Sequence, residues 1–427
     1  MKSSALLLYS LNYRPEMTGI GKYNAELLEA MASQGHSTKV ICAKPYYPEW
    51  KVHEGYTDKH YSTAEENGVT VTRCPLYVPE NPSTIKRIVH LVSFALSSLI
   101  PLLKASFKQR PKVLMVVQPT LFCTPMALLV SKLLGIKSLL HVQDFELDAM
   151  FGLSMTGSGK STLVKRIAYG VERWLLQRFD AVSTISHSMM LRAEAKGVSK
   201  DKLVFFPNWS DTDFVKPGID DHELRVEWGI RDYEKVVLYS GNIGAKQGLE
   251  MVLEAAEHYL NQPDVRFVIV GSGANKEALE QQAKERALTN VMFKPLIPWE
   301  QVPTLLSMAD VHLVVQKKGA ADAVLPSKLT NILSAGGHCV VTAEAHTELG
   351  CLAEKYPGIY SCIEPECLDA FIGAIDTELD RVASQNVNHV ARRYAELNLN
   401  KDAVLRRFES DMDLLIGGGL RTTSENG

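Results

Sequence analysis

Apolar runs of strand length alternate along this chain with stretches whose apolar residues recur every three or four positions, and the whole alternation restarts near the middle. Residues 5–10, ALLLYS, form a continuous apolar run. A loop containing Gly19 and Gly21 follows, then a segment in which Leu27, Leu28 and Met31 repeat at helical spacing. STKVICA reads as the next buried strand, so the chain opens β-loop-α-β, as a parallel doubly wound sheet does. KVLMVVQP, KSLLHVQD and AVSTIS read as further strands, the first two separated by the apolar helix TPMALLVSKLLG. KLVFF then runs into the polar, Pro-bounded PNWSDTDFVKP, which predicts a domain boundary. Beyond it KVVLYSGNIGAKQGLEMVLEAAEHY repeats the opening plan, and RFVIVGSG, NVMFKPL and VHLVVQ follow as strands with helical segments between them. The pattern predicts an α/β fold of two doubly wound, Rossmann-like domains facing a cleft, over residues 1–207 and 208–398. A helix over 399–416 that can pack back on the first domain and a disordered tail over 417–427 complete the prediction.

One stretch of the second half has more specific content. In ADAVLPSKLTNILSAGGHCVV, Pro326 and Ser327 open a turn and Lys328 follows at once. Leu329, Ile332 and Leu333 are spaced to bury one helix face, Gly336 and Gly337 end the helix, and HCVVTA reads as a short buried strand. A lysine beside free backbone N–H groups at a helix start suits an anion. A plain helix cap with an incidental lysine accounts for the same letters.

Length and composition set the frame. A chain of 427 residues exceeds what one hydrophobic core usually supports. Seven cysteines without a C-x-x-C pair predict a reduced setting with no structural zinc. The N-terminal apolar run is too short for a secretory signal and predicts retention in the cytoplasm. The net charge of -3 hides an asymmetry: residues 1–200 carry 24 Lys+Arg against 15 Asp+Glu, and the remainder 22 against 34. No acid falls between Glu80 and Asp144, an interval that holds eight Lys or Arg. Within it IKRIVHLVSFALSSLIPLLKASFKQRPK is apolar with basic flanks. Its uninterrupted apolar part is about 16 residues, short of the roughly 20 that span a bilayer, so the segment around 85–112 predicts a pair of helices that lie on an anionic membrane surface or are simply buried, rather than crossing it. A nucleic-acid partner is not predicted.

The candidate chemistry lies in strand-to-helix loops. SMTGSGKST lacks the first glycine of a phosphate-binding P-loop, having Ser154 there, and reads as a Gly/Ser loop. Asp211-Thr212-Asp213 has a D-x-D form able to hold a divalent metal, but reads better as a turn. Gly241-Asn242-Ile243-Gly244-Ala245-Lys246-Gln247-Gly248 sits between a buried strand and an amphipathic helix. Its small residues let a phosphate approach the backbone, and Lys246 adds an ion pair. At the end of a first-domain strand, Asp144, with Glu146 or His141 as alternatives, is placed to orient or deprotonate an acceptor hydroxyl.

With these segments in view, the chain resembles the retaining GT-B glycosyltransferases of family 4. The resemblance rests on the glycine loop and GH-x-x-x-V strand (Thr18 to Val40), S-T-I-S (Ser183 to Ser186), P-N-W-x-D (Pro207 to Asp211), G-N-I-G-x-K-Q-G and P-S-K-L-x-N-I-L. The last two look most like the bacterial branch that contains colanic acid fucosyltransferases. The resemblance implies transfer of a sugar from a GDP- or UDP-linked donor, GDP-fucose in that branch, to a lipid-linked oligosaccharide at the inner face of the cytoplasmic membrane, with no metal and no cofactor. It implies that Lys246 and Lys328 neutralise the donor diphosphate, that Gly19 and Gly21 approach the phosphates or the sugar, and that Gly241, Asn242, Gly244, Ser327, Asn331 and Asp322 line the donor. Two departures stand out. The family's two glutamates fall at Ala323 and Asn331, and its lysine directly before the glycine is displaced here by Gln247. A catalytically silent nucleotide-sugar-binding scaffold and an epimerase of the same fold therefore stay open.

Overall fold

The structure is a computed structural model that describes residues 5–16, 19–47, 49–57, 60–81, 83–148, 161–318 and 326–419. The chain divides into two compact units. The first takes the chain up to Pro207 and again from Leu405, and the second is Asn208–Val404.

In the first unit the strands are β1 (Ala5–Tyr9), β2 (Ser37–Ala43), β3 (Ser62–Glu66), β4 (Val69–Cys74), β5 (Val113–Gln118), β6 (Lys137–Val142), β7 (Ala181–Thr184) and β8 (Leu203–Phe205). Among the described residues they form one sheet in the order β3-β4-β2-β1-β5-β6-β7-β8. All neighbours are parallel except the outer pair β3 and β4. Strand order reverses between β1 and β5, the position at whose carboxyl edge doubly wound sheets bind ligands. β1, β2 and β5 are buried on both faces, which is why they read as unbroken apolar runs rather than alternating ones. From Leu405 the C-terminal helix belongs to this unit: Phe408 stacks on Phe206 at 3.9 Å between ring centroids, and Glu409 meets His36 at 2.7 Å.

The apolar segment is longer as a helical run than its unbroken stretch of apolar letters. Its helical run, Ile85–Gln109, has 25 residues at a mean hydropathy of 1.8, long and apolar enough by those measures to cross a membrane. Its packing is that of a core element with one open face. Helices Thr84–Ser97 and Leu99–Gln109 meet at Ser98, and Phe94, Ser98, Leu102, Ala105 and Ser106 are buried. The Tyr9 hydroxyl on β1 lies 2.5 Å from Ser98 Oγ. Ile85, Leu96, Ile100 and Phe107 point the other way, 57–75% exposed.

The second unit contains β9 (Lys235–Asn242), β10 (Val265–Ser272), β11 (Val291–Lys294), β12 (Val311–Val314), β13 (His338–Thr342) and β14 (Ser361–Ile363). They pair in parallel in the order β11-β10-β9-β12-β13-β14, with the reversal between β9 and β12. The predicted helix of the PSK segment is Ser327–Ser334, and Leu329, Ile332 and Leu333 are its buried face. Gly336 ends it at φ +64°, a conformation that suits glycine. At Gly337 a Cβ would stand 2.5 Å from the His312 ring, so this position also requires glycine.

Candidate active site

The site in the second unit begins with two strand ends that approach too closely for side chains. A Cβ at Gly271, near the end of β10, would lie 2.0 Å from the Gly241 carbonyl oxygen, and one at Gly273 would lie 2.2 Å from that of Ile243. These glycines let residues 271–275 clasp the loop that follows β9: Ile243 N–H donates to the Ser272 carbonyl (2.8 Å), and Asn275 N–H to that of Ile243 (3.0 Å). The Tyr239 hydroxyl donates to the Asn242 carbonyl at 2.7 Å and fixes the exit from β9.

Onto this platform the helix Ser327–Ser334 projects Lys328. Its Nζ lies 4.0 Å from the centroid of the Tyr239 ring, and a Cβ at Gly241 would come within 3.7 Å of it. A cation over an aromatic face is attracted to the ring quadrupole. The side chain is half-buried, and the withdrawal of its ammonium from water pushes its pKa down to about 8. The geometry thus holds a cation, mostly protonated at neutral pH, at the carboxyl end of β9, beside the point where strand order reverses.

Gly241, Asn242, Gly244 and Lys328 are brought together around that strand end. Lys246 is exposed on the loop, and its carbonyl accepts from Lys317 N–H at 2.9 Å, which brings a further lysine to the loop. Gly248 takes φ +64°, with the Lys317 stem against its Cα. Gln247, the residue that displaces the family lysine, accepts at its Oε1 from Gly244 N–H at 3.2 Å, so this backbone donor is already engaged by the loop itself. Ser327 is exposed at the helix start, and its carbonyl accepts from the Thr330 hydroxyl. Asn331 Oδ1 accepts from the Ser210 hydroxyl at 2.9 Å. Asp322 and Ala323 lie outside the described residues, as does Ser154–Lys160. Asp211 reads as a turn: its Oδ1 accepts from Asp213 and Phe214 N–H groups.

Gly19, Gly21 and Asp144 belong to the first unit. Gly19 caps helix Ile20–Ser33 at φ +56°, and a Cβ at Gly21 would collide with the Glu16 carbonyl at 2.5 Å. The buried Glu16 carboxylate accepts from Tyr46 and Tyr47 N–H groups and from Asn12, holding the loop in place. At the end of β6, Asp144 is exposed, whereas Glu146 is buried. Glu146 Oε2 accepts from Leu121 N–H at 2.9 Å, and its Oε1 has no hydrogen-bond partner among the described residues. Burial pushes the Glu146 pKa up, and Glu172 and Asp144 add to the effect. Both side-chain polar atoms of Gln118, at the end of β5, are likewise buried without a partner. His141 is fully engaged instead: Nδ1 lies 2.9 Å from Ser183 Oγ, Nε2 lies 3.0 Å from Gln143, and burial lowers its pKa to about 3. It is a packed, neutral histidine rather than a base.

Tyr239, the Gly271/Gly273 pair and Lys317 were not among the residues that the sequence pattern singles out. The G-S-G after RFVIV is the one legible sign, since glycine at a strand end marks close backbone approach.

Two parallel doubly wound units, one presenting a lysine at its strand ends and the other a set of polar groups, define the architecture of a sugar-transferring enzyme. The glycosyl transferase 4-like domain family matches residues 18–209, and glycosyl transferases group 1 matches residues 220–380. The chain belongs to the family 4 glycosyltransferases of GT-B fold, enzymes of hexosyl-transfer type. It is 50% identical over 409 residues to a glycosyl transferase of Escherichia coli K12 named for colanic acid biosynthesis, WcaI, covering 95% of this chain and 99% of that one. WbjE of Pseudomonas aeruginosa, named as a glycosyltransferase, is 24% identical over 64% of this chain and 68% of its own. Among solved structures, sucrose-phosphate synthase of Thermosynechococcus elongatus has a TM-score of 0.74 at 15% identity, over 97% of this chain and 100% of that chain. Anabaena HepE in complex with UDP has a TM-score of 0.68 at 13% identity, over 96% and 99%. These two likenesses show the fold.

Proposed function

We propose that the enzyme moves a sugar, fucose from GDP-fucose, onto a lipid-linked oligosaccharide during synthesis of a colanic acid-like exopolysaccharide, with retention at the anomeric carbon and without a metal. The observation that carries this reading is Lys328, placed over Tyr239 and against Gly241 where an anion can approach the backbone. The long match to WcaI supports the pathway, and the HepE complex supports a nucleotide diphosphate as the donor's common part. In this reading Asp144, with Glu146 as the alternative, orients the acceptor hydroxyl.

In this mechanism the bond from the anomeric carbon to the donor phosphate breaks as the acceptor oxygen bonds to the same face. The electron pair of the broken bond goes to the diphosphate, where Lys328 and Lys246 neutralise it, and the acceptor proton passes to the departing phosphate oxygen. Preorganised charge at the leaving group is worth on the order of 2.7 to 4 kcal/mol per donor in comparable sites. The reaction takes place at the cytoplasmic membrane face, to which the segment 85–112 brings the enzyme. Purified enzyme incubated with labelled GDP- and UDP-sugars and a membrane lipid extract, with and without EDTA, tests the reading. Lipid-bound label from GDP-fucose, insensitive to EDTA, is the expected result. Nucleotide binding without transfer would identify a scaffold, and sugar conversion without acceptor would identify an epimerase.

A further inference from the structure

The first unit holds a second basic site that the donor chemistry does not use. Helix Leu99–Gln109 lies over the sheet face formed by β2, β3 and β4 and leaves a cavity of about 360 Å3 between them. Lys39 of β2 and Lys104 and Lys108 of the helix line it, with Thr63, Thr72 and Ile100. The two threonine hydroxyls bond each other at 3.1 Å across the β3–β4 pair. Among the described residues no carboxylate comes within ion-pair distance of any of the three lysines. The Lys39 pKa is lowered first by burial and then by the charge of Lys108, with the exposed Glu65 the opposing influence. Like charges gathered around a partly dry cavity favour the arrival of an anion.

The cavity also has a definite setting. Ile100, one of its lining residues, and Phe107, on the turn between Lys104 and Lys108, are largely exposed on the same helix. Leu96 of the preceding helix adds to them, as do Leu129 and Leu133 of helix Thr124–Leu134, which packs against Leu99–Gln109. Lysines beside exposed apolar side chains suit the boundary of a bilayer, where stems lie against acyl chains and ammonium groups reach phosphates.

We infer that this cavity is a phosphate-binding pocket that takes the headgroup of an anionic membrane phospholipid and docks the first unit on the bilayer. The inference rests on the reading of segment 85–112 as membrane-facing and adds to it a discrete site with three named lysines. It differs from diffuse attraction, to which every lysine near the surface contributes about equally.

Vesicle sedimentation of the full chain separates the possibilities. The wild type is expected to partition at least tenfold more strongly into phosphatidylglycerol-containing vesicles than into pure phosphatidylcholine. Lys39→Gln/Lys108→Gln should weaken that preference at least fivefold. Lys86→Gln/Lys132→Gln removes equal charge from the same basic segment outside the cavity and should weaken it less than twofold. Circular dichroism melts of both double variants establish that they fold. Equal losses in the two variants overturn the pocket and leave the membrane reading standing, while a wild type that ignores both vesicle types overturns both. A parallel arm uses inorganic phosphate. If millimolar phosphate raises the wild-type Tm, but not that of Lys39→Gln/Lys108→Gln, and vesicles bind neither, the pocket serves a soluble anion and the lipid assignment fails.

Discussion

The two sheets place opposite chemistry at their carboxyl edges, against the charge of the chain around them. The first half of the sequence is basic, yet the carboxyl ends of β5 and β6 present Gln118, Asp144 and Glu146, with Glu172 and Asp148 nearby. The second half is acidic, yet the end of β9 presents Lys328, with Lys246 and Lys317 on the following loop. A domain's net charge therefore sets which surfaces it approaches, while the sign at its strand ends is set locally by a few side chains. Glu146 and Lys328 are both shifted by burial toward their neutral forms, with different consequences. A carboxyl drifting toward neutrality can both donate and accept a hydrogen bond, which suits a sugar hydroxyl. A lysine with a pKa of about 8 is still mostly charged at neutral pH and suits a phosphate.

The largest effect should come from a cation that holds two of the first unit's acids, Glu172 and Asp148. Lys196 Nζ lies 2.5 Å from the fully buried Glu172 carboxylate and 3.1 Å from Asp148, and within 5.0 Å of the Phe145 and Tyr169 ring centroids. Lys196→Met leaves Glu172 without its partner, a change that costs about 3–5 kcal/mol when a buried pair is broken. Burial already holds the Glu172 pKa above the ordinary carboxylate range, so protonation will offset part of the loss and the lower end is expected. Urea denaturation at pH 7 reads it. A change under about 1 kcal/mol would mean that the acids of this unit need no cation.

Lys328→Ala should come next. It is expected to lower kcat at least tenfold, toward the hundredfold or more that about 2.7 to 4 kcal/mol of lost leaving-group stabilisation implies, with an unchanged melting curve. Turnover near that of the wild type would show that the exposed Lys246 carries the diphosphate alone, and the contrast between the two strand ends would lose its main support.

A smaller effect follows from the Lys328 pKa. Its charged form binds the diphosphate, so affinity for a donor nucleotide is full well below pH 8 and declines as pH rises through that value. Titration with GDP should give about a twofold weaker Kd at pH 8 and about tenfold by pH 9, from the fraction of ammonium remaining. Lys328→Arg, which stays protonated over this range, should remove the decline. A wild-type affinity that is flat to pH 9 contradicts the placement of this lysine at the diphosphate.

Much of the architecture was legible because buried parallel strands are unbroken apolar runs and the glycine loops punctuate them. β3, β4 and β14 were not read. β3 is STAEE, an exposed antiparallel edge strand with no apolar signal, and β14 is only three residues long. At the site, Lys328 could be picked out from its position at a helix start, but its platform could not, because Tyr239 lies far away in sequence and meets it only through the pairing of β9 with β12. His141, an alternative to Asp144 by sequence, is the complementary case. Its spacing suits a strand end, and only the fold shows Ser183 and Gln143 closing both its nitrogens. The unbroken run of apolar letters in the apolar segment is shorter than its helical span, because the helical run continues through Ser98 and Pro101.

The smallest predicted effect tests the other side of the contrast. Glu146 accepts one N–H bond and leaves its second oxygen unpartnered, and its pKa is raised chiefly by burial. A carboxyl with a folded pKa above its unfolded value loses stability as pH rises through the interval between the two, because the fold favours the protonated form. Glu146→Gln supplies a neutral group of the same shape that can still accept from Leu121. At pH 7 the substitution should therefore be neutral or stabilising, by less than about 1 kcal/mol. Near pH 4, where Glu146 is already protonated in the folded protein, the difference should vanish. Paired urea titrations at the two pH values decide it. A loss exceeding about 1 kcal/mol at pH 7 would mean that the carboxylate is held charged by a cation. The first unit's strand ends would then repeat the logic of the second with the sign reversed, instead of offering a hydroxyl a carboxyl shifted toward its protonated form.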